Sequence, residues 1–381
     1  MSAQQAIAAS HVFDGAVVHA NAGVVIDGAR IAGVVPRREL PRSIVVRDFA
    51  DAWLCPGFID LQVNGGGDVL FNDAPTREGI SAIAAAHRTF GTTALLPTLI
   101  SDTAEKMRAA LAAVDAVVAS EPSVLGIHLE GPHLSPERPG VHDIGAIRAP
   151  TAEDRVMLTA PRKGVRLMTL APEQVPAGFI PELKAAGLSV SLGHSNATYA
   201  QTRAAMAEGL TGFTHLFNAM RPLTSREGGP IAAALGAADA WFGLIVDGVH
   251  VDPAVLRLAL RGAGHPMLVT DAMPPVGGSR PAFALYGEEI TVSEGRCARR
   301  DGTLAGAVLD MASAVRNCVR LLDVPLARAL AFASVHPADF IGVGDWLGRL
   351  APGYRADIVA FDPTDIRVLE TWVAGKPSPN P

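Results

Sequence analysis

Four ionisable residues stand where four separate apolar runs stop. Glu130 ends GIHLE, His194 follows SVSLG, His215 follows GFT and Asp271 follows MLVT. One carboxylate and two imidazoles suit a divalent transition ion such as Zn2+, and three protein ligands leave a position open for water. An ion of this kind makes hydroxide available near neutrality. A carboxylate beside it, here Asp271, can accept the proton and later hand it to a leaving group. These residue types point to metal-assisted hydrolysis. Each residue also has a blander reading. A lone histidine after an apolar strand is more often packed or on the surface, and Asp271 could cap the turn-rich DAMPPVGG. Their conjunction at successive strand ends is what favours a site.

The stretch GIHLEGPHLSPERPGVH, residues 126–142, holds further metal-capable side chains. Residues two apart in a strand share a face, so His128 points the same way as Glu130 but one layer deeper, as a core or supporting residue. His133 reads as a stray surface histidine or a pocket wall. Glu137 has no assigned role.

These residues need a scaffold that gathers strand ends. Short apolar runs at 57–61, 93–96, 124–129, 165–170, 188–192, 212–214, 242–246 and 267–270 alternate with helical stretches at 77–90, 103–120, 198–209 and 253–263. Eight buried strands, most followed by helices, predict a (β/α)8 barrel, whose chemistry collects at the C-terminal strand ends. An open doubly wound sheet is the rival, but no helix opens on the glycines of NGGGD after Val63. A hairpin is expected at 283–296 and helices at 309–322 and 325–334. Residues 1–53 and 346–381 read as short strands and predict one small β-sandwich domain built from both ends, flanking a barrel over 54–345.

Composition removes other classes. The chain has 381 residues, 49% of them hydrophobic, and a net charge of −6. No basic stripe offers itself to nucleic acid, and no apolar run approaches the ~20 residues of a membrane span. Three scattered cysteines, with no basic-then-apolar leader, predict a cytoplasmic protein.

The segments PGFIDLQVNGGGD (56–68), GIHLEGPHLSPERPGVHD (126–143), SLGHSNAT (191–198), THLFNAMRPLTSREGG (214–229), IVDGVHVDP (245–253), VTDAMPPVGG (269–278) and DGTLAGAVLDM (301–311) lie in one family's order and span nearly the whole chain. They resemble the N-acetylglucosamine-6-phosphate deacetylases of the amidohydrolase superfamily. The resemblance implies hydrolysis of the acetamide of an amino-sugar phosphate, a barrel with a small β-sandwich, and a homodimer. It implies that Glu130, His194 and His215 hold the metal and that Asp271 is the catalytic acid and base. It places Val141, His142, Asn218, Ala219 and His250 against the substrate, and Leu309 in a loop over the acetyl group. Arg226 would reach the phosphate in the neighbouring subunit's site, with Arg221 of the same loop as a second cation.

One departure bears on the metal count. Many superfamily members carry His-x-His on the first strand for a second ion, and this chain has Gln62 and Asn64 there. Neutral amides are poor ligands for such an ion. The expectation is one divalent ion per subunit, Zn2+ first, with Fe2+, Mn2+ or Co2+ as alternatives, and Gln62 and Asn64 outside its ligand shell. N-acetylgalactosamine 6-phosphate is the alternative substrate, and a noncatalytic sugar-phosphate sensor the alternative of another class.

Overall fold

Buried on both faces, a parallel strand has no need of alternating polarity, and the second strand here, Thr92–Ile100, is buried at all nine positions. The computed structural model describes residues 4–378. Eight parallel strands form one sheet in chain order: Phe58–Val63, Thr92–Ile100, Gly126–Glu130, Val165–Leu170, Ser189–Leu192, Gly212–Phe213, Trp241–Leu244 and His265–Leu268. Each neighbouring pair is hydrogen-bonded, and the sheet curls into the expected barrel. Among the described residues no ladder pairs the first strand with the eighth; a single bridge, Val63 to Ala272, joins them at the mouth. Helices Leu326–Ala333 and Val335–Phe340 pack against both of these strands.

Several helices begin where the sequence supplies side-chain caps. Thr76 accepts from the Gly79 N–H and Thr103 from the Lys106 N–H, while Thr198 and Gln201 form a reciprocal capping box. These caps start the return helices promptly, so each new strand runs parallel to the last. Helix Val335–Phe340 was not foreseen, because His336-Pro337 interrupts an apolar run that otherwise ends at Ser334.

Both chain ends build one seven-stranded sheet, in the order Lys376–Pro377, Arg367–Val373, Ile358–Asp362, Val45–Pro56, Gln5–Phe13, Val18–Asp27 and Arg30–Pro36. It has its own apolar core, which includes Ile7, Val24, Leu54, Ile358 and Trp372. Strand Val45–Pro56 passes residue 53 and hands over directly to the first barrel strand.

The single hairpin expected at 283–296 is a four-stranded antiparallel sheet: Ala282–Leu285, Glu288–Ser293, Arg296–Ala298 and Leu304–Ala307. Asp301-Gly302 makes the third turn, in which the Asp301 carboxylate accepts from the Thr303 N–H. Leu285, Ile290, Cys297 and Ala305 of this sheet pack on Leu70, Ile100 and Met273. The sheet is therefore anchored beside the barrel mouth.

The loop that follows the third strand carries Val141 and His142. Its far end is fixed by the Arg148–Asp154 ion pair, with a second bond of 2.8 Å from Arg148 Nη2 to Asp154 Oδ1. Asp154 also completes a capping box with Thr151. Burial alone would raise the Asp154 pKa, but the Arg148 and Thr151 bonds outweigh it and hold the carboxyl well below the usual range. A depressed carboxylate stabilises the fold at pH values above its unfolded pKa of ~4, and that stabilisation fades as pH falls through the folded value. Asp154→Asn should cost about 3 kcal/mol at pH 7, the loss of one partner of a largely buried pair. Denaturation measured across a pH series should show the deficit shrinking below pH ~4.

Candidate functional site

Glu130 closes the third strand, and His194 and His215 follow the fifth and sixth strands by two residues. His194 takes φ 47° and His215 φ 31°. A left-handed residue costs a non-glycine roughly 1–3 kcal/mol, and such strain gathers at functional sites. Here it swings both imidazoles over the barrel mouth. His215 Nε2 lies 2.9 Å from Glu130 Oε1, and His194 Nε2 lies 3.2 Å from the same oxygen. The two Nε2 atoms are 3.1 Å apart.

His194 Nδ1 sits 2.9 Å from the Arg138 carbonyl. A carbonyl only accepts, so Nδ1 carries the proton and Nε2 presents a bare lone pair. That lone pair, the Glu130 oxygen and His215 Nε2 converge on one point and repel unless a cation or a proton lies between them. Bonds of about 2.0–2.1 Å at tetrahedral angles would set the ligands about 3.3 Å apart, close to the observed spacing. The residues fit a divalent ion. Among the described residues they are the one group of three able to hold a metal together. Burial alone would raise Glu130, but the two histidines outweigh it and hold its carboxyl well below the usual range.

The amides of the first strand meet carboxylates. Gln62 Nε2 donates toward both Glu130 oxygens at 3.2 Å and toward Asp271 Oδ1 at 3.1 Å. Asn64 Nδ2 donates to Asp271 Oδ1 at 2.6 Å. N–H groups thus occupy the ground between two carboxylates where a second cation would otherwise sit. Asp271, at φ 51°, is partly buried and feels the Glu130 charge. Burial first, and then the Glu130 charge, pushes its carboxyl up to about 6.

A cavity of about 180 Å3 opens over these groups. Val141, His142, Asn218, Ala219 and His250 line its walls, as the resemblance implied. The Ser101 N–H donates to His142 Nδ1 at 3.2 Å. That fixes the proton of a neutral His142 on Nε2, as a donor. Burial above all holds the His142 pKa well below the usual imidazole range and keeps this ring neutral. His250 Nδ1 lies 2.6 Å from Asp247 Oδ2, and its backbone N–H donates to Asp247 Oδ1 at 2.9 Å. The Asp247 carboxylate thereby holds the His250 ring with Nδ1 as the donor.

The family model of the amidohydrolase family matches residues 53–381. The chain belongs to the amidohydrolase family. It is 46% identical over 327 residues to N-acetylgalactosamine-6-phosphate deacetylase of Shewanella sp. (strain ANA-3), covering 85% of this chain and 82% of that protein. It is 37% identical over 358 residues to N-acetylglucosamine-6-phosphate deacetylase of Haemophilus influenzae, covering 93% of each. The structure of N-acetylglucosamine-6-phosphate deacetylase from Pasteurella multocida superposes with a TM-score of 0.96 at 34% identity, over 99% of this chain and all of that one. An Asp-to-Ala variant of the Mycobacterium smegmatis enzyme, solved with N-acetyl-D-glucosamine-6-phosphate, gives 0.91 at 32% identity over the full length of both chains.

Two expected residues of this amidohydrolase lie off the cavity. Leu309 is buried in the main apolar cluster, and Leu304 and Gly306 line the cavity instead. The last strand of the four-stranded sheet carries the chain across the mouth before Leu309 is reached. Gly306 allows that approach: at φ 61°, a Cβ there would sit 2.6 Å from Met273 Cγ and 2.8 Å from the Asp271 carbonyl. Arg226 is exposed on the loop after the sixth strand, and among the described residues no Lys or Arg lines the cavity. Arg221 donates from Nε to the Asn196 carbonyl at 2.7 Å.

His133 is neither a surface residue nor a cavity wall. It is fully buried, with Nδ1 3.0 Å from the Arg148 carbonyl and its ring edge-on to Phe179. His128 lies in the barrel interior between Thr98 and Thr169, at 3.2 and 2.7 Å. Sequence reasoning missed Arg138 and Ser101, which orient His194 and His142. Arg138 acts through its carbonyl, which leaves no side-chain signal. Glu130 is the one carboxylate among the three candidate ligands, and Glu130→Gln should abolish stoichiometric divalent metal. Elemental analysis after dialysis should show that loss while circular dichroism reports a folded barrel.

Proposed function

We propose that this chain is a metal-dependent deacetylase that hydrolyses the acetamide of N-acetyl-D-glucosamine 6-phosphate to D-glucosamine 6-phosphate and acetate. The observation that carries the reading is the placement of three convergent ligand atoms, an Asp271 with a raised pKa and two oriented histidines in one cavity. The names and substrate complex of the relatives supply the substrate class. A second reading, N-acetylgalactosamine 6-phosphate, has its own support in the 46% identical relative. The two sugars share the amide and the phosphate and differ in the orientation of one hydroxyl.

Glu130, His194 and His215 would hold one divalent ion, with Zn2+ the best match to the donor set and Fe2+, Mn2+ or Co2+ the alternatives. When bound, the ion supplies Lewis acidity and a lowered water pKa. Gln62 and Asn64 leave no ligands for a second ion. Asp271 accepts the proton of the attacking water as oxygen adds to the acetyl carbon. His250, held by Asp247, and His142, with its proton on Nε2, border the space in which the tetrahedral oxyanion and the sugar must lie. Protonated Asp271 then returns its proton to the amide nitrogen. The C–N bond breaks, and acetate and the amine leave. Asn218 and Ala219 offer backbone contacts to the sugar.

Among the described residues no Lys or Arg lines the cavity, and a homodimer in which Arg226 reaches the neighbouring subunit's phosphate would supply one. Among the described residues we assign 4–56 and 346–378 to the small β domain and 57–345 to the barrel, the expected boundary at 53 moving to the end of strand Val45–Pro56. A cytoplasmic location accords with three buried free cysteines. Among the described residues no helix is long and apolar enough to cross a membrane.

Acetate release from both phosphorylated sugars tests the reading directly. Turnover of neither would sink it, and the kcat/KM ratio selects between them. Asp271→Asn should keep its metal and lose about 10²–10⁴-fold in kcat, the usual contribution of a positioned acid and base. A near-native rate in that variant would remove Asp271 from the mechanism.

A further inference from the structure

The barrel's first and eighth strands share no ladder, yet the eighth delivers Asp271 and the first delivers the two amides that hold it. The relative position of the two strands decides where the catalytic carboxylate stands. Besides these amides, a third buried side chain of the first strand ties this seam. Asp60, fully buried on the first strand, accepts at Oδ2 from the Thr270 hydroxyl at 2.5 Å. At Oδ1 it accepts from the Thr270 N–H at 3.3 Å and the Gln62 N–H at 3.2 Å. The Thr270 oxygen in turn accepts from the Ala272 N–H at 3.2 Å. The Ala272 carbonyl accepts from the Asn64 and Gly65 N–H groups, each at 2.9 Å.

Asp271 is therefore bracketed. Thr270 before it and Ala272 after it are both bonded into a chain that starts at Asp60, while Asp271 itself holds a left-handed φ of 51°. Left-handed backbone persists in a non-glycine only where the surroundings over-determine it. We infer that Asp60 is a positioning residue for the reaction: through Thr270 it closes the open seam of the barrel and holds Asp271 in its left-handed turn, facing Gln62 and Asn64. Asp60 is not among the residues lining the cavity and acts only through its neighbours. The kinetic part of this inference rests on the deacetylase reading above.

Three variants test it: Asp60→Ala, Asp60→Asn and Thr270→Val. Thr270→Val keeps the side-chain shape and removes only the hydroxyl. It should fold, keep its metal and lose about 10–100-fold in kcat with KM nearly unchanged, the effect of a misplaced catalytic group. Asp60→Asn keeps an acceptor for both N–H groups and can donate to the Thr270 oxygen, so it should recover much of the rate that Asp60→Ala loses. A merely structural staple would lower the melting temperature and leave the kcat of the folded enzyme intact. Native kcat in Asp60→Ala, or in Thr270→Val should the former not fold, would overturn the inference. So would a rate loss that follows metal loss.

A second readout is independent of turnover. In crystal structures of the folded variants, the Asp271–Asn64 contact of 2.6 Å should lengthen beyond hydrogen-bond range. An unchanged contact would overturn the positioning role. Should the wild type hydrolyse neither sugar phosphate, the deacetylase reading fails, and this structural comparison still decides the role of Asp60.

Discussion

Three electron-pair donors cannot face one another within about a hydrogen bond's length unless positive charge lies between them. Glu130 Oε1, His194 Nε2 and His215 Nε2 do face one another in this way, and the rest of the structure follows from that demand. The donors come from three different strands, so the sheet must be curved, parallel and in register at their ends. Two of them hang on left-handed residues, whose turns are secured from outside. The Ser195 N–H donates to the Ala219 carbonyl at 3.1 Å, and the Leu216 N–H to the Gly243 carbonyl at 2.8 Å. The strain at the mouth is small beside the apolar burial of a barrel this size, and it persists because the flanking backbone has no free alternative.

The scaffold was legible because its strands are buried on both faces. Near-continuous apolar runs marked all eight, and the Ala-rich helices with their threonine caps supplied the returns. The rule that chemistry gathers at the C-terminal strand ends then singled out Glu130, His194, His215 and Asp271, and the structure gathers all four at one cavity. His128 was placed in the barrel interior by strand periodicity alone, and it lies there.

What stayed illegible involves partners distant in sequence or contacts made by backbone. His133 read as either a surface histidine or a pocket wall. Its burial depends on Phe179, on a helix that follows the next strand. Leu309 and Leu304 differ by five positions, and which of them meets the cavity depends on where the last strand of an antiparallel sheet crosses the mouth. No local pattern records that crossing. The open seam between the first and eighth strands was equally hidden. The sequence shows eight strands and no hint that two of them meet through side chains and loops rather than a ladder.

Two carboxylates that meet one amide, as Glu130 and Asp271 meet Gln62, would ordinarily compete for one proton. Here their environments separate them. Glu130 faces two imidazoles, which hold it ionised and fit it for a cation. Asp271 faces amide donors and the Glu130 charge, and burial pushes it up to about 6, into the range where a carboxyl can both take and return a proton near neutrality. Gln62 touches both and donates to both, which offsets their repulsion without adding charge of its own. A histidine pair at positions 62 and 64 would bring a second cation and pull Asp271 down into the role of a ligand. The amides instead meet it with N–H donors and add no charge. Gln62 and Asn64 on the first strand thus set the hydrogen bonding around a carboxylate on the eighth.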